Sequence, residues 1–161
     1  MKFDLLSPNL VSIINRCLEN NDLTKLIYYN QSNPLSQPIL DSPKSLFMTK
    51  IFPFRYSGIT TDEQTQLRIY YPRTKIKDNI IESTSVYIDV ICHNNLYLIK
   101  DQSDNTLIRP YKILTEFIRQ FDNQQIDSIG TLKFEGVSHI PINESYSVLG
   151  LEAIMITPSG K

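Results

Sequence analysis

The chain has 161 residues, of which 41% are hydrophobic and 20% charged, which fits one globular domain long enough to bury a core without covalent staples. A formal net charge of −1, from 16 Lys+Arg against 17 Asp+Glu, argues against a dedicated nucleic-acid binder or a polybasic membrane binder. Cys17 and Cys92 are too few for a disulfide framework, no apolar run approaches the roughly 18 residues of a bilayer span, and the start Met1-Lys2-Phe3-Asp4-Leu5-Leu6-Ser7-Pro8 lacks a secretory pattern, so a soluble protein made inside the cell is expected.

Residues 1–30 read as a helical hairpin. Ser7-Pro8 supplies a capping hydroxyl and a proline at the first helical position. Leu10, Ile13, Ile14, Cys17 and Leu18 then form one apolar stripe. Asp22 is the expected cap of a second short helix carrying Leu23, Leu26 and Ile27. Residues 31–50 differ. Pro34, Pro38 and Pro43 stand among Ser, Asn and Gln, which predicts an irregular, extended arm. The apolar patch Ile51-Phe52-Pro53-Phe54-Arg55 follows. It reads either as a loop plugged into the core or as a surface that orders against a neighbouring subunit.

From residue 65 the hydrophobic period changes to two. Leu67, Ile69 and Tyr71 predict a strand ending at Pro72, and the polar residues 72–83 predict a loop. Val86, Ile88, Val90 and Cys92 alternate with Tyr87, Asp89, Ile91 and His93, the clearest strand in the chain. Asn94-Asn95 then suggests a tight turn into a strand at Leu96-Tyr97-Leu98-Ile99. Arg109-Pro110 opens a third helix, with Ile113, Leu114, Phe117, Ile118 and Phe121 on one face. Two further strands are expected near 129–136 and 147–157, and a frayed tail at Pro158-Ser159-Gly160-Lys161. The fold class is therefore α+β, a mainly antiparallel sheet packed with helices behind an N-terminal helical hairpin. A single domain spans 1–161, with its α+β core at 51–157.

Common chemistry finds little support. Cys92 and His93 are adjacent on a strand and point to opposite faces, so they make a poor nucleophile–base pair. Asp89 and His93 share a face but stand roughly 13 Å apart. Two histidines, His93 and His139, and no CxxC or HExxH pattern leave no zinc signature. Gly58, Gly130, Gly136, Gly150 and Gly160 form no phosphate-binding loop. No catalytic residue, metal or cofactor is expected. Arg68, Arg73, Lys75 and Lys77, with Tyr70 and Tyr71 between them, could contact nucleic acid, but Asp78 and Glu82 follow closely, so a solvated strand end is preferred. Asp89, set between Ile88 and Val90, reads as a wet-face carboxylate, one held by a basic partner, or one pairing across a subunit boundary.

The second half carries a resemblance. Val86-Tyr87-Ile88-Asp89-Val90-Ile91-Cys92-His93, Leu96-Tyr97-Leu98-Ile99, Arg109-Pro110-Tyr111-Lys112-Ile113, Ile129-Gly130-Thr131-Leu132-Lys133-Phe134 and Tyr146 with Leu149-Gly150-Leu151 follow in an order that resembles small neck and tail-completion proteins of tailed bacteriophages. The resemblance covers roughly residues 50–157 and implies a tail terminator-like subunit. Such subunits form a ring, commonly a hexamer, that caps the tail tube and joins it to the head connector. It implies a virion protein of the neck, with itself, the tail tube protein and the connector as partners, DNA passing through the lumen unread, and no membrane. Ile51, Phe52, Pro53, Phe54, Arg55 and Asp89 are the candidate subunit-interface residues. A head-closure or other connector protein is the nearest alternative. A small metal-dependent nuclease using Asp62, Glu63, Asp78 and Glu82 is a more distant one, and a cellular interaction module with a helical hairpin is another.

Overall fold

The computed structural model describes residues 1–55, 62–127 and 130–156. The tail expected at Pro158–Lys161 and the outer limits of the last two expected strands, at 129 and 157, lie outside them. Helix α1 is Leu6–Glu19 and α2 is Asn21–Tyr28. Ile13, Ile14, Cys17 and Leu18 of α1 and Leu23, Leu26 and Ile27 of α2 are buried, as their spacing requires. The caps differ from expectation. No side chain caps α1, which begins just before Ser7, after a single 3-10 turn at Phe3–Leu5. The missing amide of Pro8 costs nothing there, because first-turn amides have no helical partner. The cap of α2 is Asn20, whose side chain accepts from the Leu23 amide at 3.1 Å. Asp22 instead sits in the first turn.

The strands are β1 Ile51–Phe52, β2 Thr65–Tyr70, β3 Thr74–Lys77, β4 Ile80–His93, β5 Leu98–Lys100, β6 Thr106–Ile108, β7 Thr131–Pro141 and β8 Tyr146–Ile156, with α3 Arg109–Phe121 between β6 and β7. The main sheet runs β1-β2-β4-β8-β7, and β3 pairs with β4 beyond that path. Only β1 with β2 is parallel; the other pairs are antiparallel. The fold is thus α+β with a mainly antiparallel sheet and an N-terminal helical hairpin.

Two local expectations are corrected. Residues 72–83 form a hairpin, because Asp78 and Asn79 both adopt left-handed φ, 52° and 62°, the backbone of a tight two-residue turn. The segment at 96–99 does not return along β4. Both edges of β4 are already occupied there, since Cys92 pairs with Thr65 on one side and Ser147 on the other. A 3-10 turn at Asn94–Leu96 leads the chain away, and β5 pairs with β6 in a separate two-stranded sheet.

The core lies between the helices and one sheet face. Ile113, Leu114, Phe117 and Phe121 of α3 meet Ile88, Val90, Leu149, Leu151 and Ala153. The expected extended arm at 31–50 is irregular but seated on the body. Pro34 and Pro43 each start a 3-10 turn, and Leu35 and Leu46 from those turns enter the core. Two apolar anchors in a polar segment are enough to hold it down. The Lys100 amide also donates to the Ser32 carbonyl at 2.6 Å.

Arg109 closes this region. It is 1% exposed. Its Nε donates to the Leu96 carbonyl at 2.8 Å, Nη1 to Leu26 at 2.7 Å and Tyr29 at 2.8 Å, and Nη2 to Gln31 at 3.0 Å. Two of these carbonyls lie at the C-terminal end of α2, where unsatisfied backbone oxygens and the negative end of the helix dipole favour a cation.

Candidate functional site on the open face of the sheet

Alternation along the strands leaves one sheet face without helices. Its residues come into register across three strands: Arg68 opposite Asp89, Tyr70 opposite Tyr87, Asp89 opposite Gly150, and Tyr87 opposite Glu152. Arg68 is buried, while Tyr70, Tyr87, Asp89, Gly150 and Glu152 together with Arg55 line a groove of about 400 Å³, which continues over Ser138 and Ile140 of β7. Toward one end of this face Ile91, Tyr146 and Val148 form a small buried apolar cluster, and the Tyr146 hydroxyl donates to the Asp62 carbonyl.

Asp89 is the best-defined polar group here. Its Oδ2 accepts from the Tyr70 hydroxyl at 2.7 Å. Burial pushes its carboxyl above the usual value of 3.8, against the opposing effects of the Tyr70 hydrogen bond, Arg55 and Arg68. Burial, assisted by the same hydrogen bond, also raises Tyr70, so the phenol stays protonated and donates. Gly150 is the close neighbour. A Cβ added there would stand 2.8 Å from Asp89 Oδ1. Glycine inside a strand marks such close approaches.

The expected interface residues divide in two. Ile51 is fully buried and Phe52 is 9% exposed, both in β1, so these two serve the core. Pro53 is half-buried, while Phe54 and Arg55 are exposed. Arg55 and Asp89 come together on the groove, and the rest of the patch does not. Sequence reasoning missed Tyr70, Tyr87, Gly150 and Glu152. The signal was available for Gly150 as a glycine inside an apolar strand, and for Tyr87 as the neighbour of Asp89 on its face.

The other residues weighed for chemistry are placed as follows. Cys92 lies on the core face, its Sγ 3.6 Å from Thr65 Oγ1, and burial raises its thiol. His93 is on the other face, where Nδ1 accepts from the Asn95 amide at 3.1 Å and the ring packs edge-on against Tyr146. Glu82 pairs with Lys75 at 3.2 Å near the start of β4, whereas Glu63 accepts from Asn95 at 2.7 Å beyond its end. A strand of β4's length separates these carboxylates by roughly 35 Å, so the four acids considered for a nuclease do not converge. Among the described residues no group of three or more His, Cys, Asp or Glu is placed to hold a metal ion. No described helix is long and apolar enough to cross a membrane.

A protein-family model, YomW, matches residues 20–155. The chain belongs to the YomW family. The family name is that of a phage gene product, which makes this a phage-related protein. No curated protein matches the chain. The part shared with the YomW family begins at the Asn20 cap and takes in α2, the arm, the sheet and every groove residue, and it leaves out α1.

Two expected outcomes belong to this site. A raised carboxyl pKa means that the folded protein binds the Asp89 proton more tightly than the unfolded chain does. Ionisation above pH 3.8 therefore costs stability, and the cost vanishes once both states are protonated. Asp89→Asn is expected to be at least as stable as the parent at neutral pH, with the difference closing as the pH falls below 3.8. Urea midpoints across that range check this, and a variant clearly weaker at pH 7 contradicts it. Gly150→Ala is expected to push the carboxylate off Tyr70 and cost about 1 kcal/mol, the usual value of one hydrogen bond. The denaturation midpoint at neutral pH reads it, and no shift means that the strand yields instead.

Proposed function

We propose that this YomW-family chain is a structural component of the phage neck that acts as a tail terminator. Copies form a ring, a hexamer by the resemblance, which caps the finished tail tube and joins it to the head connector. The ring resides in the virion, lets DNA pass through its lumen unread, and performs no catalysis. The observation that carries this reading is the layout of the second half. The strand at 86–93, the helix opened by Arg109-Pro110, the strand after Gly130 and the final strand around Gly150 are the segments of the resemblance, and β4, β8 and β7 lie side by side in one sheet with α3 packed on it. The phage-related family supports it. So does a helix-free sheet face whose carboxylate is tied to a tyrosine.

Size-exclusion chromatography with negative-stain microscopy tests the proposal. A closed ring, and a label at the head-proximal end of tail tubes, are the expected results. A ring found at the capsid vertex and absent from isolated tails would make the chain a head-closure or connector protein. A monomer that cleaves DNA in the presence of a divalent cation would overturn the structural reading.

A further inference from the structure

The sheet ends in two exposed edges that face opposite ways. Among the described residues, β7 pairs with β8 and, at its start only, through a bridge from Leu132 to Asp122, while β3 pairs only with β4, on the side of β4 that also holds β2. An unpaired edge is a template for another strand, and proteins commonly blunt it with charges, prolines or bulges. In β7 those devices fill the first half and the last position. Lys133, Glu135 and the irregularity between Phe134 and Gly136 stand in the first half, and Pro141 ends the strand. Residues 136–140 between them carry none, and Val137 and Ile140 there are 48% and 53% exposed.

The β3–β4 hairpin has the matching properties. It exposes Ile76 and Ile80 at 53% and 56%. It carries the exposed cations Arg73, Lys75 and Lys77, with Asp78 in the turn and Glu82 paired to Lys75. The β7 edge has acidic neighbours: Glu135 at the bulge, held by Lys133 at 3.1 Å, and exposed Glu152 opposite Gly136. We infer that β3 of one copy adds to residues 136–140 of β7 in the next, so that the sheet continues from subunit to subunit. The inference rests on the ring-forming reading above and names the two surfaces that make the ring. Main-chain hydrogen bonds supply the attachment, the exposed Val and Ile side chains become covered, and Arg73 and Lys77 come toward Glu135 and Glu152. Because the edges differ and face opposite ways, the contact is head-to-tail and closes into a ring when the rotation allows.

The test uses the full chain carrying Lys77→Glu, Glu152→Lys or Val137→Lys, each at an exposed position. Thermal unfolding of each variant first shows that the subunit is intact. Each variant alone is expected to weaken self-association at least about tenfold, the effect of roughly 1.4 kcal/mol per contact. Mixing Lys77→Glu with Glu152→Lys is expected to restore assembly, because every contact in an alternating ring again joins opposite charges. If the parent forms rings while the two charge variants assemble equally well alone, or fail to rescue each other, this pair of edges is overturned and the ring reading stands. A Val137→Lys chain that still forms rings but no longer caps tubes assigns the edge to the tube protein and overturns the copy-to-copy contact. A parent that stays monomeric at high concentration overturns both.

Discussion

Arg109→Met is expected to destabilise the subunit by about 4–6 kcal/mol, which approaches the whole stability of many domains of this size. The guanidinium is buried and its Nε, Nη1 and Nη2 reach four carbonyl oxygens on three segments: α2 with its exit, the start of the arm, and the turn after β4. Methionine fills much of the volume but leaves those oxygens dry and unsatisfied. Among the described residues no carboxylate forms an ion pair with Arg109, so the cation is held by carbonyl dipoles alone. Burial lowers its pKa below the usual value, yet a guanidinium remains charged at neutral pH. Arg109→Lys keeps the charge but not the fork, since one ammonium cannot face four diverging oxygens. It is expected to lose about 3 kcal/mol. Urea denaturation of both variants checks the pair. A loss under about 1 kcal/mol for Met would mean that water takes over the four oxygens.

The double variant Leu35→Ala, Leu46→Ala is expected to lose about 5 kcal/mol, from about 2–4 kcal/mol at each buried leucine. Both leucines belong to the segment that reads from sequence as an arm waiting for a partner. Leu46 is 2% exposed and Leu35 is 7% exposed. A loosely attached arm would show almost no change in the cooperative transition. A seated arm shows a large one, and the variant's monomer would then expose the half-buried Tyr29 and Leu40 further, which line a neighbouring pocket. The transition midpoint of the isolated subunit decides between them.

Much of the fold was legible because it depends on local periodicity. The stripe from Leu10 to Leu18 and the face from Ile113 to Phe121 repeat at helical spacing, and Val86 to Cys92 alternates over enough residues to leave no other reading. The hairpin at 74–83 was not legible. Lys75, Lys77, Asp78 and Glu82 look like a solvated loop, and their pairing is set by the two left-handed residues at the turn. Pairing of 96–99 with β4 was a reasonable local reading of Asn94-Asn95. It failed because β2 and β8, from distant parts of the chain, had already taken both edges of β4. At the candidate site, Asp89 and Arg55 stood out in sequence, and the rest of the groove did not. Tyr70 and Gly150 become neighbours of Asp89 only through strand register, which no single segment encodes.

By itself the amino-acid sequence determined the α+β class, the three helices and the alternation that turns Asp89 away from the core. Hydrophobic spacing along one segment is sufficient for these, since burying an apolar stripe needs only some surface to bury it against. The tertiary structure alone decided the seating of the arm, the cradle of carbonyls around Arg109, the partner of β5 and the two exposed sheet edges. Each depends on which surfaces remain vacant after distant segments have packed, and vacancy is a property of the assembled chain.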